Sequence, residues 1–266
     1  MASMRDIKRR KDSIQSTGQI TKAMKLVSTV KLQKAKGRAE NTKPYFDLMY
    51  ETVQSILAKS GHINHKYLKE SESDKKAVIV VTANRGLAGG YNSNITRMII
   101  DEGFTKENTV VYAVGKKGRE LLERKGYEIK ADYSEAINEP IYKDAKEICD
   151  DVLSAFADGE VGEIYLAYTV FKNTVVHEPQ LIRLLPVEAD DAAHETDGSE
   201  ALMTYEPSEE EALDMIIPKY VCSLVYGALI ESVASENGAR MQAMDSATSN
   251  AEEMISNLEL AYNRAR

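Results

Sequence analysis

The last 49 residues, 218–266, carry an apolar stripe that keeps one period over almost their whole length. Alternate steps of three and four residues from Tyr220 to Tyr262 reach 13 positions, of which nine are apolar. Those nine are Tyr220, Ile230, Ala234, Met241, Met244, Ala251, Ile255, Leu258 and Tyr262. A 3.5-residue period sustained over six heptads is typical of a coiled coil. Because proline suits a first helical turn, the segment from Pro218 onwards predicts a helix of about 74 Å at 1.5 Å per residue.

The other four positions of this stripe hold short side chains, namely Ser223, Gly227, Asn237 and Thr248. Short side chains let two helices approach closely, and the flexible side chains of Met241 and Met244 adapt to an irregular neighbour. The stripe is therefore suited to one narrow partner helix and not to a broad sheet.

The other segment long enough to be that partner lies at the opposite end of the chain. Residues 4–58 are rich in helix-forming types and are interrupted only at Gly18, Gly37 and Pro44. We expect Pro44 to bend or interrupt this helix. Its apolar stripe is narrow and is not a clean heptad: Ile7, Ile14, Ile20, Met24, Val27 and Ala35. The two ends of the chain are therefore predicted to pair in antiparallel orientation, with the middle of the chain inserted between them.

The middle of the chain alternates between strand and helix patterns. Short apolar runs rich in β-branched residues predict strands at 77–82 and 109–114, and further strands are predicted at 163–171 and 180–187. Helix patterns lie between them at 92–103, 115–127 and 142–159, and His177 falls in a predicted turn. This alternation predicts βαβ units and a sheet that is at least partly parallel.

Two polar segments separate this middle region from the helical ends. Residues 59–76 are polar and contain glycine, which predicts a linker, while 188–207 hold seven acids and no Lys or Arg, which predicts a solvated loop. The sequence from Ser208 to Glu211 has the pattern of a capping box. A short helix is predicted from there to Ile217, with a new helix beginning at Pro218.

The charge of the chain is unevenly distributed. Residues 1–40 hold eleven Lys and Arg against three Asp and Glu, a balance of +8, although the net charge of the whole chain is −8. The remaining residues therefore carry −16. A basic end on an acidic body predicts that the basic end meets a negatively charged partner. The basic helix has no interleaved aromatic residues or helix-turn-helix, so we expect no binding of nucleic acid.

Two glycine-bearing segments follow predicted strands, where phosphate loops often lie. In TANRGLAGGYN, residues 82–92, glycines occupy 86, 89 and 90, but neither the phosphate-loop pattern nor GxGxxG is present. In AVGKKGRE, residues 113–120, two glycines flank two lysines without a complete dinucleotide fingerprint. Both segments are interpreted as structural turns, in which glycine supplies a positive φ angle, and we expect no bound cofactor.

The histidines and cysteines do not form a recognisable site. His62 and His65 could bind a metal only with further ligands, and neither His177 nor His194 has an identifiable catalytic partner. Cys149 and Cys222 are expected to be small core residues in a reducing compartment. The sequence shows no secretory signal and no apolar run of about 20 residues, so we expect a soluble, intracellular chain.

Four separated motifs then closely resemble the gamma subunit of F-type ATP synthase. They are DIKRR at 6–10, QITKAMKLVS at 19–28, RGLAGGYNSN at 85–94 and SENGARMQAMDSATSNAEEMI at 235–255. The likeness covers essentially the whole chain in the family's order. Two differences stand out: the family commonly has cysteine where this chain has Ala88, and it usually continues for several helical turns beyond 263–266. The chain also has no long cysteine-bearing insertion, which favours the bacterial type.

The resemblance implies a fold and a place in an assembly. The fold is a long antiparallel coiled coil of the N- and C-terminal helices with an inserted Rossmann-like α/β domain. We expect stalk helices at 1–58 and 208–266 and an α/β domain at 75–190. The partners implied are three alpha and three beta subunits, the epsilon subunit and the c-ring. The chain would be the central rotor shaft, a non-catalytic subunit that binds no nucleotide itself and has no membrane span. The complex would be peripheral, on the cytoplasmic face of the bacterial membrane.

The resemblance and the charge pattern together suggest which residues face the partners. Acidic segments of beta are expected to meet Lys8, Arg9, Arg10, Lys22, Lys25, Lys31 and Arg240. The resemblance places the choice between H⁺ and Na⁺ in the c-ring, so the chain itself leaves that choice open. The alternative interpretation is a stand-alone nucleotide-binding α/β protein whose helices form a dimerisation arm.

Overall fold

The computed structural model describes residues 4–59, 65–69, 73–187 and 208–265. Two helices of 56 and 57 residues bracket a five-stranded sheet with three shorter helices. In chain order the elements are α1 (Met4–Lys59), β1 (Lys76–Val81), α2 (Tyr91–Asp101), β2 (Thr109–Val114), α3 (Lys116–Glu123), β3 (Glu128–Asp132), α4 (Tyr142–Ala157), β4 (Glu163–Phe171), β5 (His177–Leu185) and α5 (Glu209–Ala265).

Helices α1 and α5 pair in antiparallel orientation along their length, as predicted. As the residue number rises in α1, the number of its contact in α5 falls. The contacts include Lys11 with Glu259, Thr21 with Thr248, Lys25 with Asp245, Phe46 with Tyr226, and Tyr50 with Tyr220. The hydroxyl oxygens of Thr21 and Thr248 lie 2.8 Å apart. The coiled coil of the two chain ends is therefore the frame to which the rest of the molecule is attached.

The predicted period of α5 describes its buried face. Beyond residue 250, Ala251 is buried and Ile255, Leu258 and Tyr262 are half-buried, whereas every other side chain described from 252 to 264 is exposed. Only one face of this part of α5 is covered, and α1 covers it. A narrow face of small and flexible residues is sufficient here because one helix, not a sheet, packs against it.

The predicted apolar stripe of α1 is only partly correct. Ile7 and Ile14 are half-buried and Ala35 is buried, but Ile20 and Val27 are 60% and 58% exposed. The face of α1 that meets α5 combines small and polar side chains, among them Gly18, Thr21, Ser28 and Ala35, with the larger Leu32. A Cβ atom placed on Gly18 would lie 3.4 Å from the Cβ of Ala251. The helices approach closely here, and Ile20 and Val27 lie outside the contact.

The sheet has the strand order β3-β2-β1-β4-β5. Strands β1 to β4 are mutually parallel, and β5 runs antiparallel to β4. The sequence prediction missed β3, which is a five-residue edge strand of alternating exposed and half-buried residues. Its sequence, EIKAD, has a single β-branched residue, so neither composition nor an apolar run marks it as a strand.

Two apolar layers cover the two faces of the sheet. On one face, α2 and α3 pack through Ile95, Ile99 and Leu122. On the other face lie α4 and the first half of α5, whose buried side chains share one core with the inward residues of β1 and β2. The coiled coil is thus continuous with the core of the α/β domain, because α5 belongs to both.

Both prolines within the long helices are accommodated without a break. Helix α1 continues through Pro44, and α5 begins at Glu209 and continues through Pro218. The prediction of a separate short helix ending at Ile217 is therefore wrong, although the backbone N–H of Glu211 does donate to the Ser208 hydroxyl, at 3.2 Å, as a capping box requires. Leu213, Ile217 and Val221 on either side of Pro218 are fully buried, and this packing offsets the lost helical hydrogen bond.

The closeness of the two long helices predicts a position-dependent effect of side-chain size. Gly18→Leu would force the Thr21–Thr248 region apart, whereas Gly37→Leu adds a side chain where no atom lies within 4 Å of the Cβ position. Both substitutions replace a glycine within α1, so their effects on helix propensity cancel. We expect Gly18→Leu to be less stable than Gly37→Leu by about 1–3 kcal/mol. Thermal unfolding followed by circular dichroism measures this difference, and equal stabilities would contradict the close approach.

Candidate functional site

The crevice at the carboxyl ends of β1 and β4 is the position where open α/β sheets commonly bind ligands. The chain passes from β1 through α2 to β2 on one side, and from β3 through α4 to β4 on the other. The strand order therefore reverses between β1 and β4, and ligands of such folds bind outside the strand ends at this point. The glycine loop at 86–90 follows β1 and opens onto the same crevice.

Helix α5 fills this crevice. The Tyr91 hydroxyl donates to the carbonyl oxygen of Ser232 at 3.2 Å. The Ser235 hydroxyl donates to the Thr169 carbonyl at 3.1 Å, and the Thr169 N–H donates to the Ser232 hydroxyl at 3.5 Å. Both serines are fully buried, and burial raises the pKa of Tyr91 far above its ordinary value. The place where a nucleotide would lie is therefore occupied by the chain's own helix.

The glycine loop makes its contacts within the chain. Gly89 has φ +56, as expected of a structural turn, but Gly90 has φ −83 and the second positive φ, +60, belongs to Leu87. Asn92 accepts a hydrogen bond from the Ala83 N–H at 2.9 Å. The Gly86 carbonyl faces α5 and accepts from Arg240. The loop thus joins β1 to α2 and α5, in keeping with its interpretation as a turn.

The glycine-bearing segment at 113–120 allows α3 to begin directly against the end of β1. Gly115 has φ +120, and a Cβ atom there would lie 2.2 Å from the Thr82 carbonyl oxygen. A Cβ atom on Gly118 would lie 2.5 Å from the Thr82 hydroxyl, which accepts a hydrogen bond from the Gly118 N–H. A helix N-terminus of this kind could attract a phosphate, but Thr82 occupies that position.

The basic residues predicted to face partners differ in their surroundings. Lys8, Arg9, Arg10, Lys22 and Lys31 are exposed, and Lys31 lines the groove between α1 and the glycine loop. Lys25 forms an ion pair with Asp245 across the coiled coil. These side chains follow the outside of the rod, where a surrounding partner would meet them.

Arg240 has a different place from the one expected. The residue is only 8% exposed, and its guanidinium donates to Glu236 at 2.7 Å and to the Gly86 carbonyl at 3.4 Å. Because its donors are directed inward, we assign Arg240 to the contact between α5 and the glycine loop and not to a partner-facing surface. No sequence pattern marks this position as buried, since an arginine four residues after a glutamate is also typical of an exposed helix.

An exposed apolar groove runs beside this contact, with a volume of about 830 Å³. Its apolar wall includes Ile20 and Val27 of α1 and Leu87 of the glycine loop, which is 64% exposed. Cationic side chains border it, with Lys34 paired to Glu139 and Arg38 donating to the Pro140 carbonyl at 2.6 Å. The sequence prediction missed this surface because it assigned Ile20 and Val27 to the helix pair.

The histidines and cysteines that the structure describes have structural surroundings. His65 is buried, with Nε2 3.2 Å from Asp214. His177 begins β5 instead of lying in a turn, and burial lowers its pKa. Cys149 and Cys222 are buried core residues, as predicted. His62 and His194 lie outside the described residues, and within the described ranges no group of three or more His, Cys, Asp or Glu is placed to hold a metal ion.

Helix α5 also contains an 18-residue stretch that is apolar enough to cross a membrane by length and composition. The sequence analysis did not predict such a stretch. The stretch lies within Glu210–Arg264, has a mean hydropathy of 1.5, and is 56% buried inside the protein. Core helices of soluble proteins meet the same criterion, and the buried part of α5 packs on α1 and the sheet.

Known proteins resemble the chain in sequence over nearly its whole length. Residues 3–266 match the family model described as ATP synthase. The ATP synthase gamma chain of Lachnoclostridium phytofermentans is 67% identical over 272 residues, covering 100% of this chain and 94% of the relative. The sodium-ion-specific ATP synthase gamma chain of Acetobacterium woodii is 41% identical over 280 residues, covering 99% and 93%.

Solved structures agree with this. A chain of the central stalk and c-ring of the Tetrahymena thermophila mitochondrial ATP synthase matches with a TM-score of 0.65 and 26% identity, over 86% of this chain and 99% of that one. A chain of the Euglena gracilis mitochondrial ATP synthase rotor shares the fold, with a TM-score of 0.67 and 17% identity, over 99% and 97%. The family match and the 67% identical relative together place the chain in the ATP synthase gamma-chain family.

Proposed function

We propose that the chain is the central rotor shaft of an F-type ATP synthase, a non-catalytic subunit that transmits torque between the ion-driven c-ring and the catalytic alpha and beta subunits. The observation that carries this proposal is the rod formed by α1 and α5. The contacts from Lys11–Glu259 to Tyr50–Tyr220 run along most of both helices. At one end the rod consists of two helices alone, and at the other it is built into the α/β domain. A rod of this kind can enter a ring of subunits at its two-helix end and be turned at its α/β-domain end.

The rod can act on its surroundings because its faces differ. Helix α1 presents basic side chains and an exposed apolar stripe that includes Ile20 and Val27. Helix α5 presents acidic residues such as Glu252, Glu253 and Glu259. Each beta subunit would meet a different face, and each face would stabilise a different conformation of beta with its own nucleotide affinity. The coupling is reciprocal, so nucleotide binding and hydrolysis would also turn the rod.

The exposed basic residues are proposed to face acidic segments of beta during part of each rotation. Lys8, Arg9, Arg10, Lys22 and Lys31 are exposed around the two-helix part of the rod and the start of the apolar groove. Each exposed pair contributes little, at most about 1 kcal/mol. Their joint effect would be to select rotational positions and to speed association. Lys25, tied to Asp245, would contribute less.

The partners would be three alpha and three beta subunits, epsilon and the c-ring, in a peripheral complex on the cytoplasmic face of a bacterial membrane. The coupling ion is determined by the c-ring, so the proposal applies equally to H⁺ and Na⁺. One relative, from Acetobacterium woodii, is named as sodium ion specific.

The alternative, a stand-alone nucleotide-binding protein with a helical dimerisation arm, is not favoured. Its expected binding crevice contains Ser232 and Ser235 of α5, and α5 already has a helical partner within the same chain.

Assembly gives the first test of the proposal. Tagged wild-type chain expressed with its alpha and beta subunits is expected to co-purify with them in a ratio of one to three to three, measured by quantitative mass spectrometry. A chain that purifies alone from cells containing both subunits would contradict the proposal.

Charge reversal gives a second test, on the basic surface. We expect Arg9→Glu/Lys22→Glu/Lys31→Glu in the assembled complex to change ATP turnover or ions transported per ATP at least twofold at low ionic strength. The effect should shrink at high salt, because exposed charges are screened. A matched control changes the net charge equally on the α/β domain, at Lys106, Lys125 and Lys143, all exposed. Identical kinetics of the two triple variants would show that the basic residues of α1 are only solvated.

Nucleotide titration gives a third test, because a filled crevice should bind no nucleotide. Isothermal titration of the purified chain with ATP, ADP and NAD is expected to show no site with a Kd below about 100 μM, or roughly 5.5 kcal/mol of binding free energy. A stoichiometric site of micromolar affinity would favour the alternative function.

A further inference from the structure

The contact between α5 and the α/β domain is formed by a small set of buried polar groups. We call this contact the joint. It consists of Tyr91, Thr169, Ser232, Ser235 and the pair of Arg240 with the Gly86 carbonyl. Serine hydroxyls in the middle of a long helix are more often exposed, whereas Ser232 and Ser235 are fully buried. Apolar packing does not explain why two hydroxyl groups are buried here.

The two serines replace a missing strand partner. Strand β1 pairs with β4 only as far as Val80 and Ala167. Thr169 lies two residues further along β4, where β1 offers its backbone no partner. Its N–H donates to Ser232 and its carbonyl accepts from Ser235, so α5 satisfies both groups. Buried backbone groups must be paired, and this requirement ties one side of α5 to one residue of the sheet.

Hydrogen bonds of this kind resist a motion that apolar contacts allow. Apolar packing is non-directional, so it opposes separation of two surfaces more than rotation of one against the other. Hydrogen bonds weaken steeply as their angle changes. Rotation of α5 about its own axis would break the bonds to Thr169 and Tyr91 and leave buried polar groups unpaired.

The joint is also fixed by shape and charge. A Cβ atom on Gly238 would lie 2.5 Å from Cε1 of His177, so the imidazole ring sits directly on the α5 backbone. Two residues further along α5, Arg240 connects Glu236 to the Gly86 carbonyl. These contacts lie on the side of α5 that faces the α/β domain, whereas another face of α5 packs against α1.

We propose that the joint locks the rotational setting of α5 against the α/β domain and so carries torque between the domain and the rod. The proposal rests on the proposed rotor function and adds the residues that transmit the load. Ser232 and Ser235 are positioning residues in this mechanism: they touch no reacting group, and they act by holding the rod at one angle to the sheet.

The test uses the assembled complex in membrane vesicles, with ions transported per ATP hydrolysed measured at a series of opposing membrane potentials. The variant Ser232→Ala/Ser235→Ala removes the two hydroxyls and places alanine, a strong helix former, in α5. The control Ser249→Ala/Ser256→Ala makes the same change at exposed positions of the same helix. Substitution of a residue with a merely structural role would not change how the number of ions transported per ATP depends on the opposing membrane potential.

We expect the double variant to match wild type at zero potential and to fall at least twofold below it at the highest potential that wild type still transports against. The control should follow wild type throughout. A joint variant that follows wild type at every potential overturns the proposal, as does loss of hydrolysis and transport together. A wild-type chain that supports no transport overturns the proposed function and the joint with it, so the two failures are distinguishable.

A second variant tests the same joint by shape. Gly238→Ala should strengthen the helix but push the ring of His177 away, because the added Cβ has no room. We expect it to show the same load-dependent loss, and Gly238→Ala/His177→Ala to recover wild-type behaviour at high load. Recovery is expected only if the steric contact matters, so failure of the double variant to recover would contradict this part of the joint.

Discussion

The whole structure depends on how closely α1 and α5 approach. Gly18 lies against Ala251, and Thr21 shares a hydrogen bond with Thr248, so the two backbones are separated by little more than small side chains. A close pair of long helices resists bending and twisting better than one helix does. It also leaves Ile20 and Val27 of α1 outside the contact. The stiffness of the rod and its exposed apolar stripe are thus two results of one packing arrangement.

Helix α5 has two environments, and its sequence changes between them. Its first half carries Leu213, Ile217, Val221 and Leu229, all fully buried because a sheet, α4 and α1 surround it. Its second half has one covered face. The change occurs near residues 232–240, where buried polar groups meet the crevice of the sheet. A single continuous helix can therefore belong to a domain core at one end and to a two-helix rod at the other.

Much of this architecture could be predicted because it is periodic. The 3.5-residue stripe from Tyr220 predicted a helical partner, and the alternation of strand and helix patterns predicted four strands of the sheet. Errors occurred where the pattern was local or ambiguous. Strand β3 is a short edge without an apolar run, and Pro218 lies within a helix whose neighbours pack strongly enough to continue it. Ile20 and Val27 looked like core residues because apolar side chains alone do not indicate which face a helix buries.

The sequence by itself determined the two long helices, the inserted α/β order and the resemblance to one family, because these depend on periodicity, residue type and motif. Only the tertiary structure decided which residues meet across elements. It placed Arg240 inside the joint, brought Ser232 and Ser235 to Thr169, and filled the crevice that the glycine loop had suggested for a ligand. Those contacts join residues far apart in the chain, and their existence depends on the angle and depth at which α5 crosses the sheet, which no local pattern encodes.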